Sequence, residues 1–167
     1  MRYKFSQKKI LAAVVVLLSL LIARYGNWQV AEYQLSNSEY ASWVKKVIDG
    51  DTVELTNGER VRYIGINTPE IAHYGKAAEY YGKEAKEFNK RLVLGKNIRL
   101  EFDEERYDKY SRTLAYVYLE DGTFVNAELV KLGYAKTMPI KPNTRYAELF
   151  KQMQNEAKIK RKGVWAR

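Results

Sequence analysis

Apolar and polar residues follow three rhythms along this chain, and each predicts a different structure. Residues 10–23 (ILAAVVVLLSLLIA) form an apolar run without a charge. Residues 24–41 are polar and aperiodic, which predicts a short stalk. From residue 42 the pattern shortens. Residues 42–48 and 52–55 are β-rich and separated by Asp49-Gly50-Asp51, so they predict paired strands. Asn57-Gly58 is the strongest hairpin signal and leads into a strand expected over residues 60–66, with Pro69 ending it. The period then becomes helical over residues 77–94, where Ala85, Phe88 and Leu92 share a face and Gly95 is a stop. Strands are expected over residues 97–102 and 114–119. Helices are expected over residues 125–132, ended by Gly133, and over residues 144–160. Short, mostly antiparallel strands with inserted helices predict an α+β domain over residues 42–167.

The N-terminal run needs its charges to be interpreted. Arg2, Lys4, Lys8 and Lys9 precede it, and no acid occurs before Glu32. This is the layout of a secretory signal or a signal anchor over residues 1–24. A 14-residue helix spans about 21 Å, short of a roughly 30 Å hydrocarbon core, which favours a signal. Leu21-Ile22-Ala23 puts a bulky residue where a cleavage site wants a small one, which favours an anchor. Either reading places the residues beyond 24 outside the cytoplasm, secreted or membrane-anchored by a hydrophobic N-terminal helix.

Composition narrows the chemistry. The chain has 167 residues, enough to bury a core, and is 46% hydrophobic, so it is not a disordered sequence. Its net charge is +9, but five of the basic residues lie in the first 24 positions. The remainder is only moderately basic, which suits a polyanion without demanding one. Without a cysteine there is no disulfide, no zinc–thiolate site and no thiol nucleophile. The single histidine, His73, reads as a solvated loop residue. The run KIKRK at 158–162 reads as the dipole-favoured end of the last helix before it reads as a phosphate site.

The densest chemistry lies in DGDTVELTNGERVRYIGINTPE, residues 49–70, and in DKYSR, residues 108–112. Asp51, Arg62, Asn67, Thr68, Glu70 and Arg112 are the residue types that metal-assisted phosphodiester cleavage requires. They offer hard oxygen ligands, cations for a phosphate and a base for water. Taken singly, Asp51 is an ordinary turn carboxylate, Glu70 a loop acid, and each arginine a surface charge.

The order and spacing of DGDT, R-(4)-NTPE, DKYSR and the terminal KGVW resemble the staphylococcal nuclease (thermonuclease) family over residues 42–165. The resemblance implies an OB-fold: a five-stranded β-barrel with three helices. It also implies a monomeric calcium-dependent nuclease acting on DNA and RNA and leaving 3′-phosphates. Arg62, Glu70 and Arg112 would be catalytic, and Asp51, Asn67 and the Thr68 carbonyl would bind calcium with Asp49 behind them. Lys109 and Tyr110 would contact a terminal phosphate. Three positions depart from the family pattern. Asn67 stands where aspartate is expected, which removes a ligand charge and weakens calcium binding. Ser111 stands for a glycine. Two nucleotide-holding tyrosines are missing before Lys141-Pro142-Asn143, where Met138-Pro139-Ile140 stand instead. A non-catalytic oligonucleotide-binding module on the same barrel, or an anchored interaction domain, remains the alternative.

Overall fold

The computed structural model describes residues 38–72 and 75–166, with side chains from Ser42 onward. The hydrophobic N-terminal segment, the stalk up to residue 37, and His73 lie outside the described residues. The chain divides into Met1–Asn37 and Ser38–Arg167, and the second unit holds every described element.

Five strands close a barrel in the order β1 (Ser38–Val47), β2 (Thr52–Leu55), β3 (Arg60–Tyr63), β6 (Thr113–Leu119), β5 (Asn97–Glu101). All neighbours are antiparallel except β3 and β6, which run parallel. Helices α1 (Gly82–Val93), α2 (Val125–Lys131) and α3 (Ala147–Ile159) and a 3-10 turn (Gly163–Trp165) complete the domain. This is the five-stranded barrel with three helices that the family resemblance implies, within the α+β class that the pattern predicts. Strand β1 can pair with both β2 and β5 because its register shifts once along each edge. Such bulges bend a strand, and that bend lets a small sheet close on itself. Alternate residues point inward: Val53 and Leu55, Ile98 and Leu100, and Ala115 and Val117 are buried.

Several boundaries differ from the sequence pattern, each for a physical reason. Strand β1 begins at Ser38, inside the expected stalk, because Ser38 and Ala41 find partners in Glu101 and Arg99 of β5. The single strand expected over residues 60–66 is two. β3 stops at Tyr63, Gly65 turns the chain at φ 77°, and β4 (Ile66–Asn67) pairs with the short β7 (Lys136–Thr137). The buried Asn126 amide holds this break: it donates to the Ile64 carbonyl at 3.0 Å and accepts from the Val117 N–H at 2.9 Å. The pairing of β4 with β7 carries no periodic signal, since each strand has two residues. The helix expected from residue 77 starts at Gly82, after Tyr81 in a left-handed conformation at φ 72°. Here the chain presses on the loop after Pro69, and a Cβ on Gly82 would sit 2.3 Å from the Glu70 carbonyl oxygen. The last helix starts at Ala147 because Arg145 and Tyr146 are tied to Glu101 and Asp103.

Candidate active site

The 49–51 turn, strand β3, the segment from β4 to Glu70 and the 108–112 loop bring the predicted residues together. The first loop is the Asp49-Gly50-Asp51 turn. The N–H groups of Ile48 and Asp49 both reach the Thr52 carbonyl, and the Asp51 N–H donates to Asp49 Oδ1 at 3.0 Å. Gly50 lies against the Thr68 side chain, where a Cβ would meet Thr68 Oγ1 at 2.6 Å. That close approach sets Asp51 beside Thr68, whose N–H and hydroxyl donate to Asp51 Oδ2 at 2.7 and 3.0 Å. Further support comes from α1, where Asn89 donates to the Asp49 carbonyl and accepts from the buried Tyr63 hydroxyl.

Arg62 enters from β3, whose register pairs it with Thr52, the neighbour of Asp51. Its Nη1 lies 3.1 Å from Asp51 Oδ1 and donates to the Tyr63 carbonyl at 2.9 Å. Its Nη2 donates to Asn67 Oδ1 at 2.9 Å. Arg62 and Asp51 are both buried, at 8% and 4% exposure, so this ion pair is shielded from solvent screening. Burial pushes the Asp51 carboxyl up to about 7 against the pull of Arg62, with Asp49 adding repulsion and the Thr68 hydrogen bonds opposing it.

The second loop carries Arg112. Asp108 accepts the N–H groups of Tyr110 and Arg112 on one oxygen, at 2.8 and 3.0 Å. Its other oxygen takes Nε and Nη2 of Arg112, each at 2.7 Å. This two-point clasp fixes the plane of the guanidinium. Burial acts to raise the Asp108 pKa, but the hydrogen bonds from Arg112 and Tyr110 outweigh it and hold the carboxyl below its ordinary value.

Arg62, Asn67, Glu70, Lys109 and Arg112 all line one groove of about 780 Å³. Glu70 is exposed, and its backbone is tied to Glu79 on both its N–H and its carbonyl. Asp51, Asp49 and Thr68 lie behind the groove wall rather than on it. Tyr110 is also off the wall, 68% exposed, with Lys109 Nζ at 5.1 Å from its ring centre and Arg112 Cζ at 5.6 Å. The 158–162 run does not line the groove, and Lys158 lies instead 4.7 Å from the Trp165 ring. Sequence reasoning gave no site role to Tyr107, Asp108 or Asn143, and named Met138 and Ile140 only as replacing nucleotide-holding tyrosines, yet all five line the groove. Only Asp108 carried a local signal, since an aspartate two residues before a turn N–H commonly accepts from it.

The groove therefore holds two guanidiniums, a lysine and two exposed carboxylates, Glu70 and Glu105, beside the engaged Asp108. Next to it stand three hard oxygens suited to a calcium ion: the Asp51 carboxylate, Asn67 Oδ1 and the Thr68 carbonyl. The Thr68 carbonyl accepts from Asn67 Nδ2 at 3.3 Å, and Arg62 bridges Asn67 to Asp51, so the three oxygen-bearing groups are already linked. Among the described residues no cluster of three Asp, Glu, His or Cys side chains exists. The set fits a hard cation with one carboxylate and two neutral carbonyls, which is a weakly charged donor set.

The sequence profile described as "Staphylococcal nuclease homologue" matches residues 60–167. The chain is 40% identical over 158 residues to the "Thermonuclease" of Staphylococcus intermedius, covering 93% of this chain and 92% of that protein. It is 36% identical over 161 residues to the "Thermonuclease" of Staphylococcus hyicus, covering 94% of each. It is also 39% identical over 127 residues to "Endonuclease YncB" of Bacillus subtilis, covering 73% of this chain and 60% of that protein. A profile match over more than half of the chain and relatives aligned along nearly all of it agree with the barrel and its groove: the chain belongs to the staphylococcal nuclease family.

Proposed function

We propose that this protein is a calcium-dependent nuclease that hydrolyses phosphodiester bonds of DNA and RNA and leaves 3′-phosphates. The observation that carries this reading is one groove joining an exposed carboxylate, Glu70, to two guanidiniums, Arg112 already oriented by Asp108 and Arg62 paired with Asp51 and Asn67 in the metal-free protein. Binding a strand needs the cations but not the carboxylate; hydrolysis needs both. Names of the relatives agree in chemistry, since each is a nuclease.

In this mechanism Glu70 takes a proton from water as the water oxygen attacks phosphorus. The bond to the 5′-oxygen breaks, that oxygen takes a proton from solvent, and phosphate remains on the 3′ side. Arg62 and Arg112 stabilise the charge that builds on the phosphoryl oxygens. Lys109 and Tyr110 hold a neighbouring phosphate. Calcium, held by Asp51, Asn67 and the Thr68 carbonyl with Asp49 behind them, supplies Lewis-acid polarisation of the phosphate when bound. Arg62 and calcium draw on the same Asp51 and Asn67 oxygens. An Arg62 turned toward phosphate therefore leaves those oxygens to the cation. The N-terminal basic-then-apolar segment supports export or surface anchoring of the domain, to be checked by fractionation of cells expressing the full chain.

The deciding experiment is degradation of a labelled oligonucleotide with calcium and with chelator, for wild type and Glu70→Gln. The amide is nearly isosteric but takes no proton from water. Turnover should need calcium and collapse in the variant while oligonucleotide affinity stays. Parallel loss of binding and turnover would instead give Glu70 a structural role and favour a binding module.

A further inference from the structure

We propose that Tyr107 is the base-stacking residue of the groove, forming with Met138 and Ile140 a slot for one nucleobase of the substrate; this rests on the nuclease reading above. Tyr107 is 61% exposed, Ile140 60% and Met138 36%, and all three line the groove that holds Arg62, Glu70 and Arg112. Large apolar side chains open beside cations in one groove suit a ligand that is charged at one end and apolar at the other. A nucleotide is such a ligand, since its phosphate and its flat π-system are one sugar apart.

The slot is built rigidly. Tyr107 precedes the Asp108 that clasps Arg112, so it adjoins the residue that orients the phosphate-binding guanidinium. Its backbone forms a bridge with Thr113, and the flanking residues are bonded too: Leu114 N–H to the Arg106 carbonyl at 2.8 Å and Asp108 N–H to the Arg112 carbonyl at 3.0 Å. The Arg106 side chain lies over Phe102, 4.0 Å from its ring centre. Asn143 joins this segment to the loop carrying Ile140. Its side-chain oxygen accepts the Glu105 N–H and its side-chain nitrogen donates to the Glu105 carbonyl, both at 2.8 Å. Asn143 is itself 5% exposed and bridges back to Ile140. A buried amide thus fixes the spacing between the aromatic and the aliphatic members of the slot.

Tyr110 is the competing aromatic, but it does not line the groove, and its ring already has Lys109 and Arg112 as cationic neighbours. The slot offers an aromatic face and hydrocarbon, which every base can use, so it favours no base strongly.

The test is steady-state cleavage of a single-stranded deoxyoligonucleotide with calcium, intact and with one abasic site moved along it. Wild type, Tyr107→Ala and Tyr107→Phe are compared, with circular dichroism checking the fold of each. Stacking on one base predicts a KM raised about 5- to 150-fold in Tyr107→Ala with a smaller change in kcat. Tyr107→Phe, which keeps the ring, should recover most of that loss. An abasic site at one position near the scissile bond should raise KM in wild type and by clearly less in Tyr107→Ala, where only Met138 and Ile140 remain to hold the base. A KM indifferent to Tyr107→Ala, or an abasic penalty equal in the two proteins, overturns the slot while leaving the nuclease reading intact. Failure of wild type to cleave any oligonucleotide overturns both.

Discussion

Asn67 sits where two demands meet. Its carbonyl oxygen is a calcium ligand in the proposed site and at the same time the acceptor for Arg62 Nη2 at 2.9 Å. Asn67→Asp adds ligand charge, which tightens calcium sites, but it also strengthens the hold on Arg62 in the metal-free protein. We expect the calcium dissociation constant to fall, by less than an unopposed extra carboxylate would give. Calorimetric titration measures it, and an unchanged value removes residue 67 from the calcium site. Asp108 is the second residue whose role emerges from its contacts. Asp108→Asn leaves one acceptor for Arg112 and no countercharge, so kcat should drop about tenfold, the scale of an outer partner that orients a working group. Its pH signature has a defined sign. Because the folded-state pKa lies below the unfolded value, the carboxylate contributes stability that is full above about pH 4 and is lost as pH falls through the folded pKa. The stability gap between wild type and Asp108→Asn should therefore be constant at neutral pH and shrink in acid, as read from denaturation at a series of pH values. Asp51, Arg62, Asn67 and Glu70 could be found in the sequence because they are crowded into one short segment. Tyr107 and Asn143 could not, since they work through a contact between Asn143 and Glu105 that spans 38 positions.

Elements were legible where local chemistry decided them and illegible where distant contacts did. The Asn57-Gly58 hairpin forms as read, with Gly58 at φ 86° and its N–H on the Leu55 carbonyl at 3.0 Å. The break after Tyr63 was invisible, because a glycine in an apolar run is compatible with a continuous strand. What breaks it is Asn126, 62 positions away, together with Phe150, whose ring would lie 2.8 Å from a Cβ on Gly65. That break matters for the groove, since it sets Asn67 against Arg62 and Thr68 against Asp51. Asn126→Ala leaves the buried Ile64 carbonyl and Val117 N–H without this partner. Each such group costs about 1–3 kcal/mol, so urea unfolding should show a loss of that order or twice it. Activity should fall with it, because the loop carrying Glu70 is no longer pinned. A variant as stable as wild type would mean that the break is held by Gly65 alone. The late start of α1 has the same origin: good helix formers from residue 77 yield to the packing of Gly82 on the Glu70 backbone.

At the scale of the whole molecule, barrel closure depends on β1, the one strand that lies at the N-terminal edge of the described domain and joins β2 to β5. Its first residues, Ser38 and Ala41, pair with Glu101 and Arg99, and the groove is built entirely from residues after them. Two truncations separate what holds the barrel from what serves the segment before it. A fragment of residues 38–167 keeps every described strand pairing and should fold, unfold in one transition and cleave oligonucleotides at the full-chain rate. A fragment of residues 42–167, the boundary that hydropathy suggests, loses the Ser38 and Ala41 pairings and exposes the Glu101 end of β5 as an open edge. Losing about 1–2 kcal/mol there would lower Tm by roughly 3–8 °C for a domain of this size. Its kcat at low temperature should still be close to that of the longer fragment, since neither Glu70 nor Arg112 lies on β1 or β5. Calorimetry and oligonucleotide cleavage on the two fragments check both halves of this expectation. Equal Tm values would show that closure is complete by Ser42. Loss of activity in the 38–167 fragment under conditions where the full chain is active would show that the N-terminal unit contributes to catalysis, and the proposed division of labour between an export or anchoring segment and the nuclease barrel would have to be redrawn.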